Sequence, residues 1–328
     1  MDVRQIPQID KTAFESIALD SQTPLVIKGL VETWPAVQAG LESDTAFFSY
    51  LSGFDSGHAF TAMKLDKTQK GRIFYNEDLT AFNFSYKRIN FDTFRSELEQ
   101  AVVSGDTWYA GSINLERWFP GFDKSNDLSI HRDELKSIWI GNQTRIAPHF
   151  DFPANLACNI HGERRVTLYP PEQLENLYIG PLDFTPAGQP ISLVDSLAPD
   201  YERFPRFKLA EEAAFTTTLQ PGDAIVIPSM WWHQIEATAA LNVLVNYWWR
   251  DSPAFHGSPL SALQHALLGF RDLPQHQRAV WRRLIEYYVF NEDDAPYSHI
   301  PANSQGILKP LTETTASALR KTLREHLK

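Results

Sequence analysis

The sequence predicts a mainly β protein, a sandwich or barrel with flanking N-terminal helical elements and a C-terminal helical appendage. Three observations predict it. From about Trp108 the chain runs in short apolar or alternating segments broken by turn residues, the pattern of a sandwich or barrel. After Pro253 the apolar residues recur three and four apart, as on amphipathic helices. The 328 residues are 43% hydrophobic and 12% aromatic, enough to bury a substantial core and unlike a disordered chain. That length suits one large barrel with additions or two ordinary domains. The change of spacing sets the boundary, with a β domain and its N-terminal flank over 1–252 and a helical region over 253–328.

Taken in order, PLVIKGL (24–30) reads as a short buried strand, followed by a loop carrying Trp34 and Pro35. Phe91, Phe94, Leu98 and Val102 stand at helical spacing, so 92–103 reads as an amphipathic helix packed outside the main sheet. Strands are then expected at 108–113, 137–141, 155–161, 165–169, 214–219, 223–227 and 240–249. His161-Gly162-Glu163 suggests a hairpin, and Gln220-Pro221-Gly222-Asp223 a tight turn. Residues 171–213, rich in proline and polar side chains, read as a long surface excursion. Three helices follow, in SPLSALQHALLGF, QHQRAVWRRLIEYYVF and TETTASALRKTLREHL, the first starting at Ser258-Pro259.

The formal net charge is −10 and no basic run exceeds a pair or triplet, which disfavours a surface built to grip a phosphate backbone. The opening MDVRQIPQIDK lacks the apolar run of a secretory signal, and no stretch approaches the roughly 20 apolar residues of a membrane span. A soluble, cytoplasmic protein is expected, with a nuclear location left open for a eukaryotic chain. Cys158, the only cysteine, has no intrachain disulfide partner and reads as a small buried hydrophobe.

The chemistry concentrates in two segments. APHFDF places His149 and Asp151 two residues apart, and in an extended chain such residues point to the same side, toward a common metal. Alone, His-x-Asp is a weak motif. Downstream, PGDAIVIPSMWWHQIEA supplies a strand, a proline-bearing turn, two tryptophans and His233. Two histidines and one carboxylate compose the facial triad, which holds one face of Fe(II) and leaves the other for co-substrate and oxygen. A structural zinc site would close four positions, usually with cysteines this chain lacks. Among the other histidines, His256, His265, His276 and His326 fall in or beside the helical tail and read as surface or packing residues. His58, His131 and His299 have no metal-like partner at short spacing, and His161, beside the glycine, reads as exposed.

With PLVIKGLVETWPA, HFDFPANLACNIHGERRVTLYPPEQ, PDYERFP and LNVLVNYWW added, these segments resemble the JmjC-type, cupin-like 2-oxoglutarate oxygenases. Within that family the resemblance is strongest to the asparaginyl hydroxylase branch that inhibits the hypoxia-inducible factor. It spans about two-thirds of the chain. The resemblance implies a double-stranded β-helix (cupin or jelly-roll) fold and Fe(II) on His149, Asp151 and His233. It also implies 2-oxoglutarate as co-substrate, with Tyr109, Asn155 and Asn246 matching positions that contact it or line the barrel. Strand parity agrees: Asn155 and Asn159 share one face, and Leu156, Cys158 and Ile160 the other. Asparagines that merely satisfy buried backbone groups are the plainer alternative.

Two departures stand out. Arg164 occupies the place of that branch's lysine, and a guanidinium binds a carboxylate bidentately but with different reach. Ile146 stands where many relatives carry threonine, and Thr144 shares its strand parity. Trp231 and Trp232 either wall the site or pack in the core. The implied activity is hydroxylation of a protein or peptide side chain. Oxygenation of a small molecule, methyl-lysine or a modified nucleoside, or a non-catalytic metal-binding cupin acting as sensor or scaffold, are the alternatives. The resemblance further implies a homodimer through the C-terminal helices, with Leu263, Leu267, Leu284 and Leu319 on apolar faces that packing within the chain would explain equally well.

Overall fold

Strand pairing sorts the β segments into two sheets in a computed structural model that describes residues 3–7, 20–128, 130, 134–291 and 297–327. The strands are β1 (Arg4–Pro7), β2 (Leu25–Lys28), β3 (Phe60–Leu65), β4 (Arg72–Ile73), β5 (Ser85–Ile89), β6 (Thr107–Asn114) and β7 (Leu135–Gly141). They continue with β8 (Arg145–His149), β9 (Ala154–His161), β10 (Arg164–Tyr169), β11 (Phe215–Leu219), β12 (Ala224–Ile227), β13 (Trp232–Ala237) and β14 (Asn242–Trp249). The larger sheet has the order β1-β2-β12-β9-β14-β7-β6-β3-β5, the smaller β11-β10-β13-β8-β4. From β7 to β14 the chain crosses from one sheet to the other at every step except β10 to β11, as in the jelly-roll of a cupin.

Alternation along each strand explains why this sequence closes such a barrel. From the larger sheet, Ala157, Ile225, Ile227 and Leu244 face inward and meet Val166, Leu168 and Leu219 of the smaller one. On the outer face, Leu156, Cys158, Ile160, Val243, Val245 and Tyr247 pack in one cluster with residues of α1 (Pro35–Glu42), α2 (Asp44–Ser52), α3 (Phe91–Ser104) and the short α4 (Leu115–Trp118). A sheet buried on both sides reads as a nearly continuous apolar run, which is what LNVLVNYWW is. Phe91 and Phe94 of α3 are fully buried, each worth roughly 2–3 kcal/mol of apolar transfer. Asn90 caps α3 by accepting a hydrogen bond from the Thr93 amide at 2.9 Å, and Gly105 ends it in the left-handed region.

Three expectations are corrected. His161-Gly162-Glu163 is not a hairpin, because β9 and β10 lie in different sheets and the turn is a corner between them. Gly162 has φ +72°, and a Cβ there would sit 2.3 Å from the Leu241 carbonyl oxygen, so the corner requires glycine. His161 is not exposed: its ring stacks on Phe47 at 5.7 Å and its Nε2 lies 2.7 Å from Asp44. Residues 171–213 form no bare surface excursion. Leu177, Val194, Phe204, Phe207 and Ala210 build a cluster on Tyr169 and Trp232, with α5 (Phe207–Ala213) as part of it. Strands β1, β3, β4, β5, β8 and β13 were not anticipated, the expected N-terminal flanking helices include α1 and α2, whose positions the spacing did not give, and His131 lies outside the described residues.

The chain divides into two compact units, Met1–Arg250 and Asp251–Lys328. The second contains α6 (Pro259–Phe270), α7 (Gln275–Val289) and α8 (Glu313–His326). Ser258 caps α6, with Pro259 in its first turn, and Thr312 and Thr315 close a reciprocal capping box on α8. Among the described residues, no helix is long and apolar enough to cross a membrane.

Candidate metal centre

Strands β8 and β13 run antiparallel with His149 directly opposite His233, so the register itself sets two imidazoles side by side, ring centroids 4.3 Å apart. Between His233 and Ile235 the pairing shifts by one residue, a bulge that re-aims the end of β8. Asp151 lies just past β8, in a segment held by two hydrogen bonds from the turn before β13. The Met230 amide donates to the Asp151 carbonyl at 2.9 Å, and the Ser229 hydroxyl donates to the Phe152 carbonyl at 2.6 Å. These bonds tie the carboxylate to the strand that carries His233. One potential ligand atom from each of His149, Asp151 and His233 lies within 4.8 Å of the others.

The histidine tautomers follow from their partners. His149 Nδ1 is 2.9 Å from the Ala147 carbonyl and His233 Nδ1 is 3.0 Å from the Trp231 carbonyl. A carbonyl only accepts, so each Nδ1 carries the proton and each Nε2 keeps its lone pair for a metal. His233 Nε2 stands 3.6 Å from an Asp151 carboxylate oxygen. Burial pushes the His233 pKa down to about 4, and the neighbouring His149 adds to this while Asp151 opposes it. The imidazole is therefore neutral at pH 7, as a ligand must be. Two nitrogens and one carboxylate oxygen suit a divalent iron better than a closed zinc site.

One cavity takes in the triad together with Tyr109, Asn155, Arg164 and Asn246. Asn246 accepts a hydrogen bond from the Trp139 indole at 2.9 Å and donates to Asn155 at 3.3 Å, so both amides serve the cavity wall itself. Arg164, 4% exposed, donates from Nη1 to Asn159 Oδ1 at 2.8 Å. Asn159 in turn donates to the carbonyls of Gly162 and Leu219, which fixes the guanidinium's position. Among the described residues no carboxylate lies within 4.0 Å of Arg164. Burial lowers its pKa to about 10, with Tyr109 opposing, so it stays cationic at neutral pH. Burial likewise drives the Tyr109 phenol upward, and it stays protonated.

Thr144 and Ile146 also line the cavity. Trp231 and Trp232 do not. Trp231 packs with Phe215 in the barrel core, and Trp232 meets Phe150 edge-on at 4.9 Å. The aromatic walls are instead Trp139 and Trp248, whose rings lie 5.7 Å apart. Parity could have found Trp248, two residues beyond Asn246 on the same strand face.

Comparison with known proteins agrees with this architecture. The zebrafish (Danio rerio) HSPB1-associated protein 1 homolog is 34% identical over 114 residues, 34% of this chain and 25% of that protein. Lysine-specific demethylase JMJ31 of Arabidopsis thaliana is 31% identical over 117 residues, 35% of this chain and 21% of its own length. The zebrafish tRNA wybutosine-synthesizing protein 5 is 26% identical over 194 residues, covering 52% of this chain and 56% of that protein. The chain thus spans between a fifth and just over half of these relatives. The cupin-like domain family matches residues 11–255, three-quarters of the chain, and with JmjC-type proteins among its relatives this protein belongs to that family.

Proposed function

We propose that the protein is an Fe(II)- and 2-oxoglutarate-dependent oxygenase that hydroxylates a protein or peptide side chain. The observation that carries this reading is Arg164, a buried cation without a carboxylate partner among the described residues, in the same cavity as an iron-type triad. Burying an unpaired charge costs several kcal/mol even after relaxation, a cost that an anionic ligand offsets. In a 2-oxo dicarboxylate the keto-acid group would suit the metal and the distal carboxylate would suit Arg164, both on the lining of this cavity.

Bound iron would supply the redox chemistry with oxygen. The balanced reaction takes 2-oxoglutarate, O2 and a C–H bond to succinate, CO2 and C–OH. The chain's own groups do the positioning. His149 and His233 are held in one tautomer by backbone carbonyls, the Asp151–Phe152 backbone by the Met230 and Ser229 bonds, and Arg164 by Asn159. Trp139 and Trp248 on the cavity wall would limit water around the reacting groups.

Anaerobic titration with Fe(II) and 2-oxoglutarate should give the visible charge-transfer band of the chelate, absent in His149→Ala and Asp151→Ala. Admission of oxygen should then yield succinate. Metal binding without band or succinate would leave the non-catalytic cupin as the better reading. A substrate screen should set peptides against methyl-lysine peptides and modified nucleosides, because relatives include a lysine demethylase and tRNA wybutosine-synthesizing proteins. The net charge of −10 favours the peptide arm.

A homodimer through the C-terminal helices belongs to the same proposal. Leu263, Leu267, Phe270, Trp281, Ile285 and Phe290 line an apolar groove of about 480 Å³ within the Asp251–Lys328 unit. Leu263, Trp281 and Phe290 are exposed there, a face that a second copy would cover.

A further inference from the structure

Strand β8 has two sides. Ile146 points into the metal cavity, whereas its neighbour Arg145 lines a separate groove of about 760 Å³. Arg72 of β4 stands opposite Arg145 in the parallel register, and both guanidiniums converge on one carboxylate, Asp195. Arg145 forms a short ion pair with Asp195, while Arg72 lies 3.9 Å from it and 3.6 Å over the Phe74 ring. Among the described residues, the buried Nε of Arg145 finds no hydrogen-bond acceptor. Lys70 and Arg203 add two further cations to the groove, against one further carboxylate, Glu77.

Four cationic side chains thus face two carboxylates, on a chain whose net charge is −10. An arginine pair sharing one aspartate leaves room for a second anion, and such clusters recognise acidic motifs bidentately. Phe74 and Tyr75 give the groove apolar faces beside its charges, which suits a peptide's mixed side chains. Four cations against two carboxylates leave a surplus of only two, which matches one or two carboxylates of a peptide and is too small for a run of phosphates. Burial depresses the Arg72 pKa, with Asp195 opposing and the facing Arg145 adding to it.

We propose that this groove docks an acidic segment of the peptide substrate, with Arg72, Arg145 and Arg203 as its specificity-determining residues. The proposal rests on the peptide-oxygenase reading above. Its test uses the full-length protein and three fluorescein-labelled probes: an alternating Glu-Ala peptide, its Lys-Ala counterpart and a single-stranded RNA. The Glu-Ala peptide should bind, weaken in high salt, and lose at least about fivefold in affinity in Arg72→Gln and Arg203→Glu, as expected for charged groups at a recognition surface. Asp195→Asn, which frees both arginines, should tighten it. Arg203 is exposed and pairs with no carboxylate among the described residues, so its reversal should leave the melting temperature unchanged. Equal binding of the two peptides, an inert Arg203→Glu, or Arg203-dependent binding of RNA alone would each overturn the proposal. The iron–2-oxoglutarate band of the same samples separates the two readings. Peptide binding without the band removes only the oxygenase, and the band without peptide binding removes only the groove.

Discussion

Arg164 carries its charge into the barrel with one neutral partner, and this has opposite consequences for stability and for binding. Arg164→Met removes a desolvated charge and should leave the metal-free chain as stable as before or more stable. The same substitution should weaken 2-oxoglutarate binding, read from the chelate band, by roughly 10–150-fold, the loss of a charged hydrogen bond worth about 1.5–3 kcal/mol. Arg164→Lys should fall between the two. A large drop in melting temperature in Arg164→Met would instead make the residue a structural strut. Gly162 shows the reverse case, a residue with no chemistry and a strict conformation. At φ +72° and 2.3 Å from a backbone oxygen, Gly162→Ala should cost at least about 2 kcal/mol in urea unfolding, since the chain itself must move. A cost near zero would mean that the corner is pliable.

Element by element, Phe207 tests whether the 171–213 segment is part of the fold. It is fully buried in the cluster over Tyr169 and Trp232, so Phe207→Ala should destabilise by about 3–5 kcal/mol. A cost below about 1 kcal/mol, the usual range of surface changes, would return the segment to a detachable loop. Its sequence hid this, because its apolar residues are scattered among prolines without either period. The strands buried on both faces, β9, β12 and β14, were legible from their apolar runs, and α3 from its spacing. Strand β8 was not, since RIAPH is short, carries a proline and alternates poorly. The ligands His149 and Asp151 were legible through i, i+2 geometry, although Asp151 lies past the strand and is held by hydrogen bonds from the 228–231 turn. No local pattern shows that β9 and β10 belong to different sheets, because the corner and a hairpin demand the same glycine. Arg72 and Arg145 meet only through the parallel β4–β8 pairing, which joins residues 73 positions apart.

At the scale of the whole molecule, the proposed dimer predicts that the full chain has twice the monomer mass by light scattering. Leu267→Glu in the α6–α7 groove should return it to 37.4 kDa without disturbing the iron–2-oxoglutarate band. An unchanged mass would place the contact elsewhere. Sandwiching the larger sheet between barrel core and helix layer has a further consequence, carried by its one thiol. Cys158 is fully buried on the helix-facing side of β9, a central strand, and burial drives its pKa upward, away from the reactive thiolate. An aromatic disulfide reagent should therefore leave the native protein unlabelled. Labelling should follow the detachment of helices from sheet, so one natural cysteine serves as a clock for the opening of the Met1–Arg250 unit.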